Sequence, residues 1–291
     1  MTDSVNNQLL SVPEPILDVI VVNFNAGDLL SECVGAVLSS SLPIRVFVED
    51  NCSSDHSVET LISLSGHDSR VKVRRNRSNL GFSQASNLAA ISSTSRYVLF
   101  LNPDCNLGPR TLARLVGFMD STPSAGMCGC VVRDLNGVEQ IATRRVVPDP
   151  WLGLARMLFI ERLWPGVLGE RRLDLRTDPL PQKPIEVEAI SGALMFVRRR
   201  AMEEVGLLDE GYFLHCEDLD WFVRFKQRGW PIYLVPDVDA VHHKGVCSSA
   251  HPIRVLWHKH QGMVRFFGKF QARDYSLPFR VLVVMGIWTH F

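Results

Sequence analysis

Short, nearly all-apolar runs alternate with helical patterns through the first half of this chain. Leu17-Asp-Val-Ile-Val-Val-Asn23 has almost no polar position, which predicts a strand covered on both faces. Residues 28–39 follow with Leu29, Leu30, Cys33, Val34 and Val37 on one helical face. The same alternation predicts strands over 45–50, 71–73 and 97–102, and helices over 58–64, 81–91 and 109–119, the last opened by Pro109. Repeated strand–helix units imply an α/β fold with a mostly parallel sheet and right-handed crossovers. Beyond them, 186–197 predicts a strand bent at Ser191-Gly192-Ala193, and 200–205 and 217–228 predict helices, the second closed by Gly229. Residues 231–235 and 240–243 predict the closing strands.

Ligands on such sheets bind beyond the carboxyl ends of the strands. Those ends carry Asn23 and Asn25, Asp50 and Asn51, Asn76 to Asn79, and Asn102-Pro103-Asp104. Asparagine and aspartate are ordinary turn residues. Four such turns on one rim favour a nucleotide site.

Composition narrows the picture. With 291 residues and 46% apolar content, the chain can build one large domain or one domain with an appendage. Lys+Arg and Asp+Glu are both 31, which argues against a general nucleic-acid binder. Seven cysteines without a CxxC pair suggest neither a disulfide framework nor a zinc knuckle, and fit a reducing compartment. The polar N-terminus has no basic region typical of a secretory signal, and no apolar run approaches the ~20 residues that span a bilayer. We expect a flexible segment over 1–16, the α/β domain over 17–250, and a tail over 251–291.

Two segments depart from this plan. Residues 144–184 interleave Arg144, Arg145, Arg156, Arg162, Arg171, Arg172 and Arg176 with Trp151, Phe159 and Trp164. This basic, aromatic insertion either holds a phosphate-bearing or lipid-linked acceptor, or packs as a surface helix. The tail mixes Arg254, Lys259, Arg265, Lys269, Arg273 and Arg280 with Trp257, Phe266, Phe267 and Phe270. That pattern predicts an amphipathic helix on anionic lipid, with packing on the domain or a dimer contact as the alternative.

The densest candidate chemistry lies in Leu214-His-Cys-Glu-Asp-Leu-Asp-Trp221, where Glu217, Asp218 and Asp220 crowd among apolar neighbours. Crowding and lost hydration raise a carboxyl pKa and can create a usable base. The plainer reading is an acidic helix N-terminus favoured by the macrodipole. Asp218 is the candidate base, able to accept a proton from an acceptor hydroxyl. Glu217 points about 100° away on a helix, so only one of the two can hold that position. Glu217, Asp220, Trp221 and Gly192 are candidates for the acceptor side. Asp220 could cap, orient or bind, and Trp221 could offer a sugar ring an apolar face or sit in the core. A glycine within a strand marks close approach of a ligand or another backbone. Asp104 and His242 could together hold Mg²⁺ or Mn²⁺ against a diphosphate, although a lone histidine is more often structural.

These stretches bring the chain close to a known family. Val19 to Asn25, Asp50 to Asp55, Asn79 to Phe82 with Asn87, and Leu99 to Asp104 appear first. Ser191 to Ala193, Leu208 to Glu210, Phe213 to Trp221, and Pro236 to His243 follow in the family's order. The chain resembles inverting family 2 glycosyltransferases of the GT-A fold, and within them the bacterial rhamnosyltransferase-like branch. The resemblance implies a nucleotide-sugar donor with base and ribose near Asn23, Asn25 and Asp50, and with Asn79 and Asn102 on the same rim. It implies metal and diphosphate at Asp104 and His242, and Asp218 as the base of a single inverting displacement. Many GT-A enzymes carry a carboxylate where this chain has Asn102, which leaves Asp104 as the turn's sole carboxylate ligand. The expected activity is transfer of a sugar, L-rhamnose from dTDP-rhamnose, to a lipid-linked or polysaccharide acceptor in bacterial surface-glycan assembly. The expected location is the cytoplasmic face of the inner membrane, by peripheral contact, or the cytoplasm. A UDP- or GDP-sugar donor, or a non-catalytic nucleotide-sugar-binding partner, are the alternatives. A nicotinamide oxidoreductase would need Gly-x-Gly-x-x-Gly after the first strand, where this chain reads Asn-Phe-Asn-Ala-Gly-Asp. A sugar nucleotidyltransferase would carry a glycine-rich basic N-terminal loop, which is absent.

Overall fold

The computed structural model describes residues 14–66, 68–151, 153, 175–176, 178–243 and 252–289. The expected flexible segment 1–16 lies mostly outside them. So does most of the 144–184 insertion, including Arg156, Arg162, Arg171 and Arg172.

The predicted strand–helix units form β1 (Leu17–Asn23), α1 (Leu29–Leu38), β2 (Ile44–Asp50), α2 (Ser57–Ser65), β3 (Val71–Arg75), α3 (Phe82–Ile91) and β4 (Tyr97–Leu101). Then come β5 (Cys105–Leu107), α4 (Thr111–Ser121) and β6 (Met127–Arg133). A short pair, β7 (Arg144–Arg145) and β9 (Ala189–Ile190), forms its own two-stranded sheet, with β8 (Ile185–Val187) between them in sequence. The domain closes with β10 (Leu194–Arg198), α5 (Arg199–Val205), α6 (Glu217–Gln227) and β11 (Ile232–His242), and the tail forms α7 (Pro252–Phe270) and α8 (Leu277–Thr289).

The main sheet runs β3-β2-β1-β4-β10-β6-β11-β5, with β8 on β11. β1, β2, β3 and β4 are mutually parallel, β6 and β11 are parallel, and β10 runs antiparallel between β4 and β6. The continuous apolar runs have a direct cause in this layering. Val19 and Val21 of β1 face one core with Leu30 of α1, Leu61 of α2 and Leu115 of α4. Ile20 faces the other, with Ala89 of α3, Ala201 of α5 and Trp221 of α6. Both faces are buried, so neither tolerates polar alternation.

The strands differ from expectation in several places, beginning with the short β5 and β7, which were not anticipated. β6 was not anticipated, because Gly129 interrupts its apolar run; a side chain there would meet Ile190 at 3.0 Å. The bent strand of 186–197 is instead split into β8, β9 and β10, with β9 leaving the main sheet for β7. The two closing strands are one, β11, broken only by a bulge between Val235 and Asp239.

The tail packs on the body. Phe266 and Phe267 of α7 are buried, Arg265 pairs with Asp209 at 2.9 Å, and Lys269 bridges Asp209 and Asp220 at 2.7 and 2.6 Å. Two of the cations expected to face lipid are therefore spent on the domain. Leu277, Val281, Leu282 and Met285 of α8, and Ile253 and Trp257 of α7, remain exposed. Among the described residues no helix is long and apolar enough to cross a membrane.

Candidate functional site

The rim is assembled from side-chain amides that tie one loop to the next. Asn23 ends β1 opposite Asp50 of β2, and its amide nitrogen donates to Asp50 Oδ1 at 2.8 Å, Ser53 Oγ at 3.1 Å and Ser57 Oγ at 2.8 Å. Asn25, at φ 53°, accepts the Ser54 amide on Oδ1 at 2.8 Å. Asn23 is wholly buried and Asp50 nearly so. Both brace the loops from below, while Asn25 is half-buried at the surface. Asn51 links the next turn: its Nδ2 donates to Gly81 O and its Oδ1 accepts from Asn76 and from the Leu80 amide. Asn79 accepts the Gly81 amide at 2.9 Å, which shapes the same turn.

Asp104 and His242 meet, as expected, and sheet register is the reason. β5 pairs antiparallel with the end of β11, with Cys105 opposite His242. His242 Nε2 consequently lies 3.2 Å from Asp104 Oδ1. Gln140 fixes the ring. Its Nε2 donates to the His242 carbonyl at 2.9 Å, so its Oε1, 3.0 Å from His242 Nδ1, faces that nitrogen as an acceptor. Nδ1 then carries a proton, and Nε2 is turned toward the Asp104 carboxylate. An imidazole nitrogen and a carboxylate oxygen converging on one point are donor types that a divalent ion takes, and a second-side hydrogen bond of this kind orients a metal-binding histidine. The residues thus fit a hard divalent ion. Among the described residues no third His, Cys, Asp or Glu joins them, so substrate oxygens and water would complete the coordination. Asn102 flanks the pair, with Nδ2 3.5 Å from His242 Nε2, and its carbonyl accepts from the buried Cys33 thiol. Burial pushes that thiol's pKa up, and Asp104 adds to the effect, so it stays a proton donor.

The turn Ser191-Gly192-Ala193 joins this pair to the acidic helix. The Asn102 amide donates to Ala193 O at 2.9 Å. On the next residue, a Cβ added to Gly192 would sit 2.8 Å from Asp218 Oδ2. The predicted close approach is therefore backbone against the candidate base. Asp218 is partly accessible, with its side chain 14% exposed; Oδ2 accepts from Arg145 Nη2 at 2.5 Å, and Oδ1 from the Leu219 amide at 2.8 Å.

The three carboxylates divide sharply. Glu217 is buried at the first turn of α6, and among the described residues its Oε2 has no hydrogen-bond partner. Burial, reinforced by the Asp218 charge, pushes its pKa up to about 8. Asp220 has no exposed surface and pairs with Arg224 at 2.6 Å and with Lys269. Trp221 is wholly buried, donates to Gly206 O at 2.8 Å, and stands edge-on to Phe100 and Phe225. Asp220 anchors the tail helix and Trp221 fills the core, so neither supports the acceptor role expected of it. The ~3.6-residue helical period explains this split: residues two apart point to nearly opposite sides. Gln140 is the site residue that sequence reasoning missed. Arg145 was read only as part of the basic insertion and not as the partner of Asp218, which lies 73 residues away.

Comparison with known proteins identifies the family. The family described as Glycosyl transferase family 2 matches residues 18–206. The N-acetylglucosaminyl-diphospho-decaprenol L-rhamnosyltransferase of Mycobacterium tuberculosis is 25% identical over 280 residues, covering 91% of this chain and 88% of its own. Rhamnosyltransferase WbbL of Escherichia coli is 26% identical over 152 residues, 50% of this chain and 52% of its own. Among solved structures, a Pyrobaculum calidifontis mannosyltransferase in complex with GDP-Man and Mn²⁺ superposes with a TM-score of 0.60 at 18% identity, over 96% of this chain and 70% of that one.

Proposed function

The chain belongs to glycosyl transferase family 2, and from that premise we propose that it moves L-rhamnose from dTDP-rhamnose, with inversion, to a lipid-linked or polysaccharide acceptor in bacterial surface-glycan assembly. The choice of rhamnose leans on the two rhamnosyltransferase relatives, and that of a lipid-linked acceptor on the decaprenol-linked substrate named for the Mycobacterium one.

One observation carries the reaction type. A carboxylate–histidine pair and an accessible carboxylate flank the same three-residue turn, Ser191 to Ala193. In this reading Asp218 takes the proton from an acceptor hydroxyl as that oxygen attacks the anomeric carbon, opposite the departing diphosphate. Gly192 lets the carboxylate lie against backbone. Asn25, with Asn51 and Asn79 shaping the adjoining loop, borders the donor's nucleoside. Mg²⁺ or Mn²⁺ held by Asp104 and His242 would offset the charge growing on the leaving diphosphate.

The acceptor side would sit near a lipid surface. The exposed apolar residues of α8 and the outer face of α7 suit peripheral contact with the inner membrane's cytoplasmic face, with Arg254 and Arg273 nearby for anionic headgroups.

The test is sugar transfer by the full chain from dTDP-rhamnose to a prenyl-diphosphate-linked N-acetylglucosamine, with Mn²⁺. Asp218→Asn should abolish transfer while leaving dTDP-rhamnose binding within a few-fold. Full activity in that variant would remove Asp218 as the base. A thermal shift with UDP- or GDP-sugars but none with dTDP-rhamnose would replace the donor.

A further inference from the structure

Asp218 is held from three directions by segments far apart in sequence. The backbone at Gly192 lies against one edge of the carboxylate, the Leu219 amide binds Oδ1, and Arg145 binds Oδ2. Arg145 stands on β7, where consecutive side chains point to opposite sides. Its neighbour Arg144 is buried and anchors the strand by pairing with Glu139 at 2.9 Å. Arg145 is thereby turned to Asp218. β7 in turn pairs with β9, with Arg145 opposite Ala189, so the strand that delivers Arg145 is tied to the one leading into Ser191 and Gly192.

We infer that Arg145 is the positioning residue of the base: it fixes the Asp218 carboxylate against Gly192 and keeps the negative charge of the adjacent Glu217–Asp218 pair on Asp218. The inference rests on Asp218 being the base. Two neighbouring carboxylates in a buried site cannot both ionise cheaply. The only hydrogen-bonded cation at this pair among the described residues is Arg145, and it binds Asp218 rather than Glu217. A guanidinium remains charged at any working pH and holds a fixed planar direction, which an ammonium on a flexible stem does not. Glu217, pushed up by burial and by Asp218, is then the member that holds a proton at neutral pH.

The remaining charged groups do not alter this assignment. Cys216 precedes the pair, and its thiol is pushed up to about 12 by burial, then by Asp218 and Glu217, so it is neutral. Lys259 of α7 acts on Cys216 at a distance. Asp220, Arg224 and Lys269 are paired with one another. The β9–β10 turn adds no charge. Each Asp218 oxygen has one partner and therefore keeps acceptor capacity for an incoming hydroxyl.

Arg145→Met and Arg145→Lys test this in the full chain. The first readout needs no substrate: carboxyl ¹³C NMR titration, with Glu217 and Asp218 assigned through Glu217→Gln and Asp218→Asn. The wild type should show Glu217 protonated at pH 7. In Arg145→Met the proton should be shared between the two signals, and Arg145→Lys should restore much of the difference. The second readout is the pH profile of kcat/KM for rhamnosyl transfer. At the acid end of the profile kcat/KM should fall roughly tenfold in Arg145→Met and partly return in Arg145→Lys. Identical titrations in wild type and Arg145→Met would overturn the inference. So would an activity loss uniform across pH and not relieved by lysine, since that is the mark of a merely structural arginine. If Arg145→Met does not fold, Arg145→Gln, which also removes the charge, takes its place in the same comparison. Should the wild type transfer sugar from no donor, the proposed function falls, while the NMR titration still decides the role of Arg145.

Discussion

Gly192→Ala is the sharpest test of how the proposed base, Asp218, is held. The new methyl would lie 2.8 Å from Asp218 Oδ2 and 3.2 Å from its Cβ and Cγ, where ordinary contact begins at 3.4 Å. The overlap is 3.4 − 2.8, about 0.6 Å. Gly192 is not among the positive-φ glycines, so the substitution brings a clash without backbone strain. The carboxylate cannot simply swing away, because Arg145 holds Oδ2 and the Leu219 amide holds Oδ1. It must shift by roughly half an ångström, and displacements approaching 1 Å cost on the order of 100-fold. We expect kcat to fall about tenfold, which corresponds to ~1.4 kcal/mol of transition-state stabilisation. The stability cost should be about 1 kcal/mol, that of mild overpacking. Gly35→Ala in α1, where nothing lies within 4 Å of the added methyl, serves as the control. It should leave kcat unchanged and raise stability by about 0.5–1 kcal/mol through helix propensity. Saturating initial rates and thermal melts read both variants. A Gly192→Ala enzyme with kcat within about twofold of wild type would refute the claim that catalysis depends on where this carboxylate lies.

The raised Glu217 pKa makes stability pH-dependent. The folded chain holds a proton that the unfolded chain releases near 4.5, so stability falls as pH rises from about 4.5 to about 8 and levels off above that. Glu217→Gln should remove a slope of about 1.4 kcal/mol per pH unit within that window; parallel denaturation curves for variant and wild type from pH 5 to pH 8 would contradict the raised value. Asp104→Ala should weaken donor binding in Mn²⁺ but not in EDTA, measured by calorimetry, and an equal loss in both would point to a folding defect rather than a lost ligand. Replacing Leu282 and Met285 with glutamine, both exposed on α8, should cut co-sedimentation with anionic vesicles several-fold, and unchanged partitioning would dispose of the membrane contact.

What could be read from the sequence was what local physics dictates. The strands β1, β2 and β4 were legible because burial on both faces leaves no room for polar alternation, and the helices between them showed a single apolar stripe. Asp104 was legible as an acid ending such a strand. Asp218 stood out by crowding, but crowding alone could not rank its neighbours. Only the packed helix shows that Asp220 faces Arg224 and Lys269, that Glu217 is buried without a counter-charge of its own, and that Trp221 is core. β6 was hidden because the residue that lets Ile190 pack against it is glycine, a residue that weakens every strand pattern.

The illegible remainder shares one physical character: it is register and pairing between distant segments. Asp104 and His242 were expected together, but the pairing of β5 with β11 that brings them there was not, nor was Gln140, which orients the ring from the loop after β6. Arg145 reaches Asp218 because β7 pairs with β9. Both arrangements converge on the turn between β9 and β10. Ala193 accepts the Asn102 amide, and Gly192 receives the Asp218 carboxylate. A change in that turn therefore displaces the Asp104–His242 pair and Asp218 relative to each other, while a change at Asn23 or Asp50 disturbs only the loops above β1 and β2. This asymmetry separates two kinds of damage. Variants of 191–193 should lower kcat with donor affinity kept, and variants of the buried Asn23–Asp50 brace should lower donor affinity first. An alanine at Asn23 that spared donor binding but abolished turnover would show that the brace, rather than the turn, sets the geometry of transfer.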